Sequence, residues 1–438
     1  MSLETSIPDD ARPTRPLPIR QLIRLSLYWL GLSSIFAGLN VILTGRLEFT
    51  GMVPKSEVGG TLFRLTIAGA VIAAIVQPTV GSISDYTISR WGRRKPYIFI
   101  GSVLDVVFLF AIATSNELVA IAVFIALLQF SSNFAQGPFQ GYVPDLVPAA
   151  QVGLASGLVG LFTVLGNATG FIVGSLSVTT GRFDIGTIAL GVIELVTMLA
   201  VVIGVDEGRA AKPRQGRSWL NVAADAWGTD VLREKSFLFL VGSRLFVLMG
   251  GSVLVHLGLL YLSRSIGLSQ HDAGNAFLVV SVVAALATAV AVIPAGRASD
   301  RFGRKRVIWV ATALGAAGLL TAAVAPSLAF AYLAAALMGI GTGSFLAVDW
   351  ALMTDIIPKA SSGRYMGISN VATASAGVLA IAIGGGLIMD RFELATGPRA
   401  AMVFGAVSYG IGALLLWPVR EKRREDVEPI VAPAVAAA

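Results

Sequence analysis

The chain is written as long apolar runs broken by short polar stretches. Twelve runs of about 20 residues can be counted, the first Ile23–Thr44, the eleventh Tyr365–Met389 and the last Arg399–Val419. Each is long enough to cross a hydrocarbon core of about 30 Å as a helix rising 1.5 Å per residue. The runs are continuous and lack the period-two alternation of a membrane barrel. The pattern therefore predicts an all-α membrane protein with twelve transmembrane helices. The longest polar connection, Asp206–Ser236, falls after the sixth run and sets the expected organisation. That organisation is a tail over 1–22, a six-helix half over 23–205, a linker over 206–236, a second six-helix half over 237–420 and a tail over 421–438. Ser218–Leu232 in the linker, with Trp219 and Trp227, suits a helix lying on the membrane surface and equally a solvated loop.

Composition agrees with lipid as the solvent: 55% of the residues are hydrophobic and 13% charged, against about 25% charged in soluble domains. Of the 33 Lys and Arg residues, 24 fall on the side of the termini and six on the other. The positive-inside rule then makes both termini cytoplasmic in a cell (plasma or inner) membrane. This distribution also accounts for the net charge of +7 without a nucleic-acid partner. The absence of cysteine and the presence of only two histidines exclude thiolate chemistry and a His-rich metal site, so no cofactor or metal is expected. No phosphate-binding Gly-x-x-x-x-Gly-Lys-Ser/Thr loop is present and no catalytic cluster is visible, which argues against an ATP-driven pump or an enzyme.

One motif occurs twice. Gly81-x-x-Ser84-Asp85 leads, through a short loop, to Arg90-Trp91-Gly92-Arg93-Arg94-Lys95; Gly296-x-x-Ser299-Asp300 leads to Gly303-Arg304-Lys305-Arg306. Each copy is followed by a second acid beside a proline, Asp145 (Pro144, Pro148) and Asp355 (Pro358), so the two halves repeat one pattern. Internal repeats of six spans are a transporter architecture with the substrate site between them. The motif resembles the loop signature of the major facilitator superfamily. Its long first form, Gln77-Pro78-Thr79-Val80-Gly81 onward, and Asn133-Phe134-Ala135-Gln136-Gly137-Pro138 resemble the sucrose/proton symporter group and, less closely, the glycoside-pentoside-hexuronide transporters. The chain departs from the sucrose group where Gln129 and Gln140 stand in place of an acid and an arginine. The resemblance implies a proton-coupled importer of a sugar or glycoside, working by alternating access as a monomer. An exporter, a carrier of another solute and a non-transporting sensor are the alternatives. Asp85, Arg90, Arg93, Arg94, Asp145, Asp300, Arg304 and Asp355 would form a gate closing the cytoplasmic side, with Asp85 near Gly363 and Asp300 near Gly153. The same charges also suit a purely topological role.

Polar residues inside the runs give the remaining candidates. Gln129, Asn133, Gln136 and Gln140 share a stripe of the fourth run, where amides suit a hydroxyl-rich ligand or hydrogen bonds between helices. Asn40 belongs to a looser stripe of the first run, beside Phe36. Charges at membrane depth are expensive and mark function by default. Arg244 and Asp349 lie at equal depth, so a pair is expected, with Asp349 as proton carrier; a structural ion pair fits the same spacing. Asp105 is a second candidate proton carrier with no basic partner in sight, His256 a candidate ligand, and Glu194 reads as structural. Substrate contacts are thus assigned to Asn40, Gln129, Asn133, Gln136, Gln140, Arg244 and His256.

Overall fold

The structure, a computed structural model, describes residues 15–87, 89–148, 151–207, 235–356, 369, 373 and 375–419. The described residues are helical and contain no strand. The long helices are α1 (Ile19–Phe49), α2 (Val58–Asp85), α3 (Lys95–Thr114), α4 (Leu118–Gln140), α5 (Val152–Thr180) and α6 (Phe183–Gly204). After the linker come α7 (Lys235–Leu260), α8 (Gln270–Phe302), α9 (Arg304–Val324) and α10 (Leu328–Ile356). They are followed by the π-wound segment α11 (Ala380–Ile388) and by α12 (Gly397–Leu415). Among the described residues, eleven helical stretches are long and apolar enough to cross a membrane. The expected eleventh run, Tyr365–Met389, falls partly outside the described residues, as do the linker helix Ser218–Leu232, Gly363 and the side chain of Asp355. Large apolar side chains point outward all around, among them Ile203 (79% exposed), Val119 (76%) and Val290 (74%), the surface a lipid solvent requires.

The pairings among α1–α6 recur among α7–α12. Helix α1 packs on α5 and α6, α4 on α2 and α3, and α3 on α6; likewise α7 packs on α11 and α12, α10 on α8 and α9, and α9 on α12. Small residues make these crossings close. A Cβ on Gly137 of α4 would fall on the Gln77 carbonyl of α2, and one on Gly343 of α10 on the Thr288 carbonyl of α8. Without a hydrophobic force between helices in lipid, such backbone approach is how helices hold together.

The repeated motif also has a conformational reason. Gly92 (φ +114°) and Gly303 (φ +91°) both occupy the region that side chains avoid, and each stands just before a new helix, α3 or α9. The two copies are then tied down differently. Glu207, after α6, accepts hydrogen bonds from the N–H groups of Arg94 (2.6 Å) and Lys95 (3.1 Å) at the start of α3. In the second copy Lys305 Nζ donates to the Trp417 and Val419 carbonyls after α12, at 2.9 and 2.8 Å.

The two bundles meet at the end formed by the α1–α2 and α7–α8 connections. There α2 packs on α11, with Gly59 against Gly385 and the Gly60 N–H on Asp390 Oδ2 at 2.6 Å. Helix α5 packs on α8, where Gln270 donates to the Val178 carbonyl at 2.9 Å. At the opposite end Gly157 and Gly160 of α5 and Gly296 of α8 have nothing within 4 Å of an added Cβ. Val71 and Ile75 of α2 and Leu161 of α5 are more than half exposed there. Among the described residues, the molecule is closed at one end and parted at the other.

Candidate functional site

Arg244 of α7 and Asp349 of α10, 105 residues apart, are brought together in the second bundle. Both are buried, and Arg244 Nη1 donates to Asp349 Oδ2. Arg244 Nε also donates to Thr373 Oγ1 at 3.1 Å, which ties the pair to the chain just before α11. A guanidinium and a carboxylate removed from water hold each other ionised, and loss of either leaves an uncompensated charge. Further along α7, His256 Nδ1 pairs with the Ser252 carbonyl at 2.9 Å while its ring edge lies against Gly377. Arg244 and His256 therefore both face the chain leading into α11.

The amide stripe of α4 is uneven. Asn133 is 3% exposed and turns back on its own helix, donating to the Gln129 carbonyl at 2.7 Å. Gln129 packs against Gly69 of α2. Gln136 is half-buried and Gln140 exposed at the parted end. On α1, Asn40 is half-buried, one turn from Phe36, which is 40% exposed.

The charged loop forms a network within the first bundle. Arg94 Nη2 reaches both Asp85 Oδ1 and Asp145 Oδ2 at 2.6 Å, Arg93 Nη2 reaches Asp145 Oδ2 at 2.5 Å, and Arg94 Nη1 donates to the Pro138 carbonyl at 2.8 Å. Pro138 belongs to α4, so the network anchors the parted end of that helix. Burial pushes the Glu207 carboxyl up from the ordinary glutamate range, opposed by the Lys95 and Arg94 N–H groups and the Arg94 guanidinium. Burial, reinforced by Glu207, likewise pushes up the Tyr142 hydroxyl, whose OH donates to Glu207 Oε2 at 3.4 Å. Arg90 is exposed and stands apart from this network; Asp300 is exposed at the end of α8, and Arg304 is half-buried at the start of α9.

Two features escaped the sequence reading. The first is an ion pair between the bundles at the closed end. Arg264 Nη2 meets Glu48 Oε2 at 2.6 Å, with the two side chains 4% and 1% exposed, and Ser263 Oγ donates to Glu48 Oε1 at 3.1 Å. Close by, burial pushes the Asp390 carboxyl up against the pull of the Gly60 N–H. Glu48 lies just beyond the first run, Ile23–Thr44, and Arg264 reads as a topological charge, so no signal in the sequence marks the two as a pair. The second is the environment of Asp105, which accepts hydrogen bonds from Ser131 and, at 2.8 Å, from Ser132. Beside it Glu194 accepts a 2.9 Å bond from Tyr28.

Two repeated helical bundles with apolar outer surfaces, joined at one end by a buried charge pair, have the architecture of a membrane transporter. The chain belongs to the major facilitator superfamily, whose profile matches residues 27–285 and 240–436. It is 30% identical over 177 residues to the sucrose transport protein SUT1 of Oryza sativa, a match covering 34% of this chain and 33% of that protein. A membrane-associated transporter protein of Mus musculus is 30% identical over 122 residues, 24% of this chain and 23% of its own length. The matched stretches thus span a third or less of these relatives. Among solved structures, a point mutant of the nucleoside transporter NupG superposes with a TM-score of 0.72 at 13% identity, over 92% of this chain and all of that one. A D-xylose-proton symporter superposes with a TM-score of 0.67 at 17% identity, over 91% and 96% of the two chains.

Proposed function

We propose that this transporter is a proton-coupled importer of a sugar or glycoside, acting as a monomer in a cell membrane with both termini cytoplasmic. The parted end then faces the cytoplasm and the Glu48–Arg264 end faces outside, so the described state is inward-open. The observation that carries the reading is the buried Arg244–Asp349 pair tied to Thr373. A proton transferred to the Asp349 carboxylate removes its charge and frees the Arg244 guanidinium for hydroxyl oxygens of a bound solute. Departure of the solute restores the pair and expels the proton. From the first bundle, Gln136, Gln140 and Asn40 would supply amide donors and acceptors that match a hydroxyl-rich ligand, with Gln129 and Asn133 on the same stripe of α4, and from the second His256 of α7. The charged loops close the cytoplasmic face in the other half of the cycle: Asp85, Arg90, Arg93, Arg94 and Asp145 from the first bundle, Asp300, Arg304 and Asp355 from the second. Both sucrose transport proteins and a proton symporter stand among the similar proteins, which agrees with this reading.

The test is uptake of radiolabelled sucrose, maltose and several monosaccharides into proteoliposomes with and without an inward proton gradient. Gradient-stimulated uptake of any of them is expected, and Asp349→Asn should abolish the stimulation while leaving solute exchange. Competent vesicles that take up none of these sugars would transfer the proposal to export or another solute.

A further inference from the structure

Inside the first bundle, where α1, α3, α4 and α6 converge, Asp105 and Glu194 are both 0% exposed. Their carboxyl groups lie within hydrogen-bonding reach of each other. The other polar neighbours are hydroxyl groups. Ser131 and Ser132 of α4 donate to Asp105. Tyr28 of α1 donates to Glu194 Oε1 at 2.9 Å, and Ser102 of α3 lies 2.5 Å from the same hydroxyl and beside Glu194. Glu194 Oε2 is buried without a well-aligned hydrogen bond. Two ionised carboxylates are acceptors only, so they can bond to each other only through a proton that neither the backbone nor a hydroxyl supplies.

The titratable groups facing this point are Tyr28 from α1, Asp105 from α3 and Glu194 from α6; α4 contributes only its two serines. Among the described residues no Arg, Lys or His faces the pair to balance two negative charges. Among the described residues no group of three or more His, Cys, Asp or Glu side chains that could hold a metal ion is present. A Cβ on Gly31 of α1 would stand only 2.9 Å from the Glu194 Cα and would collide with Thr197 Oγ1, so α1 and α6 are in close contact beside the pair.

We propose that Asp105 and Glu194 form a proton-binding site of the first bundle, one proton held between the two carboxyls and shut away from the space between the bundles. Its hydrogen-bond partners include α1 and α4, and Ser132 adjoins Asn133 of the amide stripe. Loss of the proton sets two like charges against each other in a dry site that those helices wall. The inference rests on no assumption about the transported solute, since the proton itself is the probe.

Infrared difference spectra of the purified full-length protein in heavy water test it. The wild type should keep a protonated-carboxyl absorption at about pH 8, far above the ordinary carboxylate range of about 4. Asp105→Asn combined with Glu194→Gln should remove that absorption, and Asp349→Asn should leave it. Should the double variant fail to fold, Tyr28→Phe keeps both acids, removes one donor to Glu194 and should shift the absorption. No absorption in the wild type, an absorption that survives the double variant, or one unmoved by Tyr28→Phe would each overturn the assignment.

Discussion

The five ionisable residues read from the apolar runs as membrane-buried candidates fall into three environments, and the difference is the neighbour each one finds. Asp349 meets a guanidinium, Asp105 and Glu194 meet each other, and His256 meets the carbonyl of its own preceding turn. The first pairing was legible because Arg244 and Asp349 sit at matching depth, which counting at 1.5 Å per residue reveals. Asp105 and Glu194 lie on helices 89 positions apart, and no periodicity within either helix says that α3 and α6 touch there. If the Arg244–Asp349 pair balances its own charge, Arg244→Met alone should destabilise the protein by about 3–5 kcal/mol, because Asp349 is left buried and uncompensated. Arg244→Met with Asp349→Leu should recover most of that loss. Thermal unfolding in detergent reads both, and a double variant no more stable than the single would show that the cost lies elsewhere than in an orphaned carboxylate.

At the scale of the helices, glycine has two opposite meanings in this chain, although it looks alike in sequence. Gly137 lies where α4 crosses α2 over the Gln77 carbonyl; Gly157 lies on α5 facing open space. Gly137→Ala should therefore lower thermal stability and folded yield, since backbone has to move to admit the methyl group. Gly157→Ala should be neutral or stabilising by up to about 1 kcal/mol, the difference in helix propensity. Equal effects on unfolding temperature would argue against the described crossing of α2 and α4. The repeated loop motif teaches the same lesson. Its glycines were recognised as a recurring spacing, but only the backbone shows that Gly92 and Gly303 adopt positive φ at the entrance to α3 and α9.

For the molecule as a whole, the pair Glu48–Arg264 is a charged contact that spans the two bundles, its residues 216 positions apart in sequence. As a latch of the closed end it should favour the described state over one opened on that side. Ser175, 1% exposed where α5 meets α8, gives a place to read this, because the chain has no cysteine of its own. In a Ser175→Cys background, adding Glu48→Gln should raise thiol labelling from that side about tenfold or more, since 1.4 kcal/mol of lost latch is already a factor of ten. Unchanged labelling would show that apolar packing of α5 on α8 and α2 on α11 holds that end without the ion pair.

The sequence by itself determined the solvent, the helical class, the repeat and the loop motif. These depend on local quantities: apolar run length against bilayer thickness, the sidedness of basic residues, and spacing within one stretch of chain. It also located the buried charges that stand inside the apolar runs, Asp105, Glu194, Arg244 and Asp349, because a charge there needs no partner to be noticed; Glu48 and Arg264, just beyond their runs, went unnoticed as a pair. Only the tertiary structure decided which of those charges meet, which face of α4 is turned inward, and which end of the molecule is shut. Each of those is a contact between helices tens to hundreds of residues apart, and in lipid such contacts are set by the fit of small residues and hydrogen bonds rather than by any periodic signal along the chain.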